Sequence, residues 1–300
     1  MQKIQTISPT NGLLIREYQI ENEKALGIKI AAMQTAFPMW HIKPIEARCV
    51  YLENLIDLLQ TQKTNLATLI TTEMGKPLAQ SLQEINKCIH LCEYYLDICT
   101  EVLCDEYIDQ YHVTYQPLGI ILGIMPWNFP FWQVFRFIIP TVLAGNVCLI
   151  KHSENVTGCA LAIKDLFRFA NFDDHIVEVA VCDTEQTQKM ITHQHIKAVS
   201  LTGSRKAGIA VAQTAASVLK PCLLELGGND GYYVHQDVPN LPKVCQELIN
   251  ARLLNAGQSC VSPKRVLIHE AIYDAFKEEL LRQIKCSPTP GDPLSDNVSV

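Results

Sequence analysis

The sequence is poor in the features that mark several protein classes. Charged residues fill only 19% of its 300 positions, and no stretch is of low complexity, which excludes an extended disordered chain. Lysine and arginine total 25 against 31 aspartates and glutamates, for a formal net charge of -6. With no basic cluster to gather phosphates, nucleic acid is not an expected partner. Residues Met1 to Thr10 are polar and lack the apolar core of a secretory signal. The twelve cysteines therefore point to a reducing, cytoplasmic setting and not to a disulfide scaffold. None has the spacing of a zinc ribbon or finger. Cys88 and Cys92 flank His90 within a helical pattern, with no second ligand pair downstream, so they read as core and no metal is expected.

Only one run is long and apolar enough to imitate a membrane span. Leu118 to Phe135 is eighteen residues without a charge, about the length that crosses a bilayer. Pro126 and Pro130, followed by Pro140, together with Asn128 and Gln133 would leave polar groups unpaired in lipid. The run reads instead as a buried strand leading into a functional loop, and no membrane is expected.

What is present is a chain able to bury large cores: 48% of its residues are hydrophobic, and its length is about two domains' worth. The N-terminal third reads as helices. Pro44 can open one, with Leu52, Leu55, Ile56 and Leu59 on one face; another runs from Asn65 to the stop signal Gly75-Lys76-Pro77. Leu78, Leu82, Ile85, Ile89, Cys92 and Leu96 recur at three and four residues, an amphipathic helix. From Tyr111 the rhythm changes to short apolar runs at Leu118 to Met125, Val147 to Ile150, Val177 to Val181, Ala198 to Leu201, Cys222 to Leu224 and Val266 to His269. Helical segments such as Lys206 to Val218 and Ala271 to Ile284 separate the later ones, which predicts an α/β fold with a parallel sheet. Two glycines at 227 and 228 precede a fresh strand-helix-strand series, which divides the chain into residues 1–228 and 229–300. The second part has about seventy residues, at the low end of what encloses a core alone.

Five places could carry chemistry. Cys260, in Gly257-Gln258-Ser259-Cys260, follows a glycine turn where backbone N–H groups can favour a thiolate, yet one cysteine in twelve is weak on its own. Glu225 precedes Gly227-Gly228 at the end of an apolar run; it could be tuned as a general base, but local sequence alone favours a surface glutamate before a turn. Thr202-Gly203-Ser204 opens a helical stretch directly after a strand, so helix N–H groups there can face a phosphate, or Ser204 can simply cap the helix. Asn128, held between Pro126 and Pro130, can aim an uncharged amide at a developing oxyanion. Lys151-His152-Ser153-Glu154 ends the next strand, at the carboxyl edge where open α/β sheets bind ligands.

Taken together and in this order, these segments resemble the aldehyde dehydrogenase superfamily from about Ile20 to the last residue. The resemblance rests on PWNFP at 126–130, GNVCLIKHSE at 145–154, TGS at 202–204, ELGG at 225–228 and NAGQSC at 255–260. The run MPWNFPFWQVFR with KHSEN is most similar to the bacterial NAD-dependent succinate-semialdehyde dehydrogenases. The fold this implies is a Rossmann-type cofactor domain with the first part of an α/β catalytic domain. The resemblance makes Cys260 the nucleophile toward an aldehyde, Asn128 and the Cys260 N–H the oxyanion donors, and Glu225 the activator of the hydrolytic water. It places Trp127, Lys151, Ser153, Glu154, Gly203, Ser204 and the Leu226 backbone along the cofactor. Glu154 favours NAD, because a carboxylate accepts ribose hydroxyl protons and repels a 2′-phosphate, while Ser153 leaves room for NADP.

Arg136 matches an arginine that pairs with the substrate carboxylate in succinate-semialdehyde dehydrogenases; a structural ion pair is the other reading of it. Leu254 stands where several members place a second such arginine, which leaves glutarate semialdehyde and uncharged aldehydes open beside succinate semialdehyde. Members of the superfamily continue beyond this chain's last residue, so the resemblance implies an incomplete catalytic domain. Two expectations follow: a dehydrogenase completed by further residues, or a truncated nucleotide-binding remnant without catalysis. A polar hairpin around Asp105 to Gln116 resembles the family's oligomerisation flap and implies a homo-oligomer for a complete protein.

Overall fold

The computed structural model describes residues 2–286, 289–296 and 298. Ser287, Pro288 and Asn297 lie outside them. The expected helical N-terminal third begins instead with an antiparallel hairpin, β1 (Lys3–Ile7) and β2 (Leu14–Gln19). Ile4, Thr6 and Ser8 are buried in alternation with exposed neighbours, a period of two too short to stand out in sequence. Four helices follow: α1 (Glu23–His41), α2 (Ile45–Thr61), α3 (Lys63–Met74) and α4 (Leu78–Val102). The Asn22 side chain caps α1 by accepting from the Ala25 N–H. A short hairpin, β3 (Glu106–Ile108) and β4 (Tyr111–Val113), is exposed throughout.

The parallel sheet is built from β5 (Ile120–Met125), α5 (Trp132–Leu143), β6 (Val147–His152), α6 (Thr157–Phe169), β7 (Val177–Val179), α7 (Thr184–Thr192), β8 (Ile196–Thr202), α8 (Arg205–Ala216) and β9 (Cys222–Glu225). Its strand order is β7-β6-β5-β8-β9, every neighbouring pair parallel. β5 and β6 are buried on nearly every residue, which is why they read as unbroken apolar runs. From β5 the chain winds outward through β6 and β7, then returns to β8 on the other side. The topological switch point therefore falls between β5 and β8, and the loops leaving their carboxyl ends diverge to open a crevice there. Pro126 to Pro130 and Thr202 to Ser204 are those two loops.

The last described segments are β10 (Gly231–Val234), α9 (Leu241–Leu253), β11 (Arg265–Ile268) and α10 (Tyr273–Cys286), with β10 and β11 paired in parallel. They hold a small core of Val234, Cys245, Leu248 and Phe276, separate from the main core that runs from Leu26 to Ala215. Cys88 and Cys92 lie in that main core. Among the described residues, no helix is long and apolar enough to cross a membrane.

Candidate active site

The loop after β5 is gripped at both ends by the end of β6. The Ser153 N–H donates to the Met125 carbonyl at 3.0 Å, and the buried His152 ring donates from Nε2 to the Pro130 carbonyl at 2.9 Å. His152 Nδ1 in turn accepts from the Ser153 N–H at 2.8 Å. One ring nitrogen donating and the other accepting requires a neutral imidazole, and burial pushes its pKa down from 6.5 to about 4. Since the folded pKa lies below the unfolded one, the unfolded chain takes up the proton first as pH falls. His152 therefore stabilises the fold fully above about pH 6.5, and that contribution is lost progressively toward pH 4. The loss is expected to be roughly 3 kcal/mol. Denaturant unfolding at several pH values checks it: the fall should be smaller by that amount in His152→Gln.

The cysteine loop follows α9. Asn255, Ala256 and Gly257 have φ of 59°, 54° and 74°, three successive left-handed residues of which only glycine is unstrained. This turn reverses the chain so that the Gln258 carbonyl accepts from Asn128 Nδ2 at 2.7 Å. Lys264 Nζ gathers three carbonyls of the same loop, those of Ser259 at 3.3 Å, Cys260 at 2.8 Å and Ser262 at 3.0 Å. Gly228 passes so close that a Cβ there would lie 2.6 Å from the Cys260 carbonyl oxygen. The second glycine after Glu225 thus lets the chain leaving β9 run against the cysteine backbone.

β9 ends at Glu225, whose carbonyl accepts from the Gly203 N–H at 2.9 Å. Trp127, Asn128, Arg136 and Cys260 line one cavity of about 420 Å³ with Gly203, Ser204, Glu225 and Leu226. Eight residues singled out in sequence thus come from five separate segments to one crevice at the switch point. Cys260 is half-buried, whereas Glu225 is exposed. Arg136 Nη2 stands 3.6 Å from Glu225 Oε2, so the arginine faces the carboxylate across the cavity. Ser204 caps α8 by accepting from the Ala207 N–H at 3.2 Å. Lys151, Ser153 and Glu154 lie at the carboxyl end of β6, outside this cavity's lining, with Glu154 exposed and Ser153 Oγ donating to Asn155 Oδ1 at 2.7 Å. Among the described residues, no three His, Cys, Asp or Glu side chains are grouped to hold a metal ion.

Sequence reasoning missed Lys76, Glu84 and Asn255, a buried polar trio behind the Asn128 loop. Lys76 had the look of a basic residue at a helix stop, and the one signal against that was Glu84 eight residues on, at a position that the amphipathic pattern of α4 places among apolar neighbours.

A doubly wound parallel sheet with a thiol, an amide and a carboxylate gathered at its switch point defines the class of protein. The profile of the aldehyde dehydrogenase family matches residues 1–300, and the chain belongs to that family. It is 36% identical over 294 residues to a probable succinate-semialdehyde dehydrogenase [NADP(+)] of Synechocystis sp., covering 97% of this chain and 64% of that one. It is 33% identical to the succinate-semialdehyde dehydrogenase [NADP(+)] of Mycolicibacterium paratuberculosis, covering 98% and 64%. The solved structure of succinic semialdehyde dehydrogenase from Streptococcus pyogenes with NADP+ matches 98% of this chain and 66% of that chain, at 27% identity and a TM-score of 0.94. The chain thus spans slightly less than two thirds of the length of these relatives.

Proposed function

We propose that the protein oxidises an aldehyde to its carboxylic acid with a nicotinamide dinucleotide, with succinate semialdehyde as the substrate. The observation that carries this is the convergence of Cys260, Asn128 and Glu225 on one cavity that also reaches the turn opening α8. Net, one aldehyde, one oxidised dinucleotide and one water give the acid, the reduced dinucleotide and a proton. A bound dinucleotide supplies the hydride acceptor. Its fit rests on the first-turn N–H groups of α8 beside Gly203 that Ser204 does not cap, on the exposed Trp127 ring and on the ammonium of Lys151 at the end of β6.

The chain's own residues perform the rest. The Cys260 thiolate attacks the aldehyde carbon and leaves a tetrahedral oxyanion, which the second N–H of the Asn128 amide and the Cys260 backbone N–H face. After hydride departs, Glu225 takes a proton from water, which attacks the thioester and releases the acid and the thiol. Glu154 favours NAD by repelling a 2′-phosphate, Ser153 leaves room for NADP, and the relatives carry NADP in their names. The two cofactors are therefore to be assayed side by side. The separate core of residues 234–276 supports a domain division near residue 228. The exposed Tyr107, Ile108 and Tyr111 of the short hairpin support it as a self-association element.

Arg136 tests the substrate. A guanidinium bound to the distal carboxylate contributes about 1.5–3 kcal/mol. Arg136→Ala is therefore expected to raise KM for succinate semialdehyde about 10- to 100-fold while leaving KM for an uncharged aldehyde of similar length within about threefold. Equal effects on both substrates would reject the carboxylate assignment.

A further inference from the structure

Lys76, Glu84 and Asn255 are buried to within a few per cent, and every strong contact of the trio leads to one of the two loops that carry Asn128 and Cys260. Lys76 falls between α3 and α4, where Gly75 at φ 82° ends the helix and turns the following residue inward. Its ammonium pairs with Glu84 Oε2, donates to Asn255 Oδ1 at 2.9 Å and lies 4.7 Å from the centre of the Phe129 ring. The other Glu84 oxygen accepts from the Phe131 and Trp132 N–H groups, both at 2.8 Å, where the Asn128 loop enters α5. Asn255 Nδ2 donates to the Asn128 carbonyl at 2.6 Å. An ammonium cannot accept a hydrogen bond, so Lys76 fixes which end of the Asn255 amide faces Asn128. Three residues further on, Gln258 holds the Asn128 side chain through its carbonyl.

We propose that the buried Lys76–Glu84 pair, acting through Asn255, positions the Asn128 amide against Cys260 for the tetrahedral oxyanion. Lys76, Glu84 and Asn255 are positioning residues; the inference rests on the reading of Cys260 as nucleophile and Asn128 as oxyanion donor. Stability alone accounts poorly for the arrangement. A buried ion pair roughly breaks even against well-packed apolar residues, whereas this one spends its remaining bonds on two catalytic loops. Oxyanion stabilisation depends steeply on placement, and an error of about 1 Å can cost on the order of 100-fold.

The test uses hydrolysis of p-nitrophenyl acetate by the 300-residue chain. The Cys260 thiolate forms a bond to the acetyl carbon through a tetrahedral oxyanion, p-nitrophenolate leaves, and water releases acetate; no dinucleotide takes part. Asn255→Asp keeps an acceptor for Lys76 and tolerates the positive φ, but removes the N–H given to Asn128. The double variant Lys76→Met with Glu84→Gln removes the charges together. Both are expected to lose about 10- to 100-fold in kcat with KM within about twofold, assayed well below each variant's thermal midpoint. Asn255→Asp added to Asn128→Ala should cost nothing further, the non-additivity of two residues acting through one amide. Unchanged kcat in Asn255→Asp, or losses that add, would overturn the relay. If the double variant does not fold, Asn255→Asp decides, since it leaves the ion pair intact. If Cys260→Ala or Asn128→Ala hydrolyses the ester at the parent rate, the nucleophile and oxyanion reading fails, and the relay with it.

Discussion

Cys260→Ala is expected to abolish aldehyde oxidation, a fall of about 10⁴-fold or more in kcat, because covalent capture is the step that every later one requires. Cys260 is the thiol in the cavity with Asn128 and Glu225. Of the other eleven, Cys88, Cys92, Cys148 and Cys159 are buried, and burial pushes their pKa values up, so none of these four can supply a thiolate at neutral pH in its place. The measurement is the absorbance of reduced nicotinamide with saturating aldehyde and either cofactor. Cys104→Ser is the control: Cys104 is exposed and does not line the cavity, and its loss should leave the rate unchanged. Oxidation that survives in Cys260→Ala would reject the covalent route.

Asn128→Ala is expected to lower kcat by about 10²- to 10³-fold with little change in KM, the usual consequence of deleting one donor that faces a developing oxyanion. On the proposed mechanism the charge it faces is absent from the free aldehyde, so the lost interaction belongs to the transition state and the fall is expected in kcat. The geometry sharpens this expectation. One N–H of the Asn128 amide is committed to the Gln258 carbonyl at 2.7 Å, and the amide has a second to offer in the cavity that Asn128 lines. The amide is thus anchored before substrate arrives and need not be reoriented during the reaction. Steady-state kinetics on one aldehyde decide the point; a rise in KM at constant kcat would mean that Asn128 only binds substrate.

The fold was legible because its sheet is buried. β5 and the first four residues of β6 are unbroken apolar runs, β8 is a shorter one interrupted by Ser200, and the glycine after β8 and those after β9 punctuate them. The candidate site was legible as segments: PWNFP, TGS, ELGG and NAGQSC each looked ordinary alone, and their order carried the reading. What stayed hidden had no local signature. The hairpin of β1 and β2 rests on a three-residue alternation of Ile4, Thr6 and Ser8. Lys76 follows a helix stop and Glu84 lies in an amphipathic helix, both places where charges usually face solvent, and beyond the apolar neighbours of Glu84 no local pattern reveals that the two face each other and Asn255 in the interior. The ion pair between Arg136 and Glu225 likewise joins residues from α5 and β9 that only the strand order brings together.

The same buried bonds bear on how the molecule comes to be folded. Lys76 and Asn255 are 179 residues apart, Asn128 and Gln258 130, and Asn255 and Asn128 127. Closing loops of that size before other contacts exist carries an entropic cost that short-range helices and neighbouring strands avoid. The sheet and its helices rest on shorter-range contacts and can organise before these loops close, whereas Cys260 lies in the segment from Asn229 onward that the long-range bonds tie to the Asn128 loop. Under mild denaturing conditions the loss of these long-range bonds is expected to separate Cys260 from Asn128 while the helices remain.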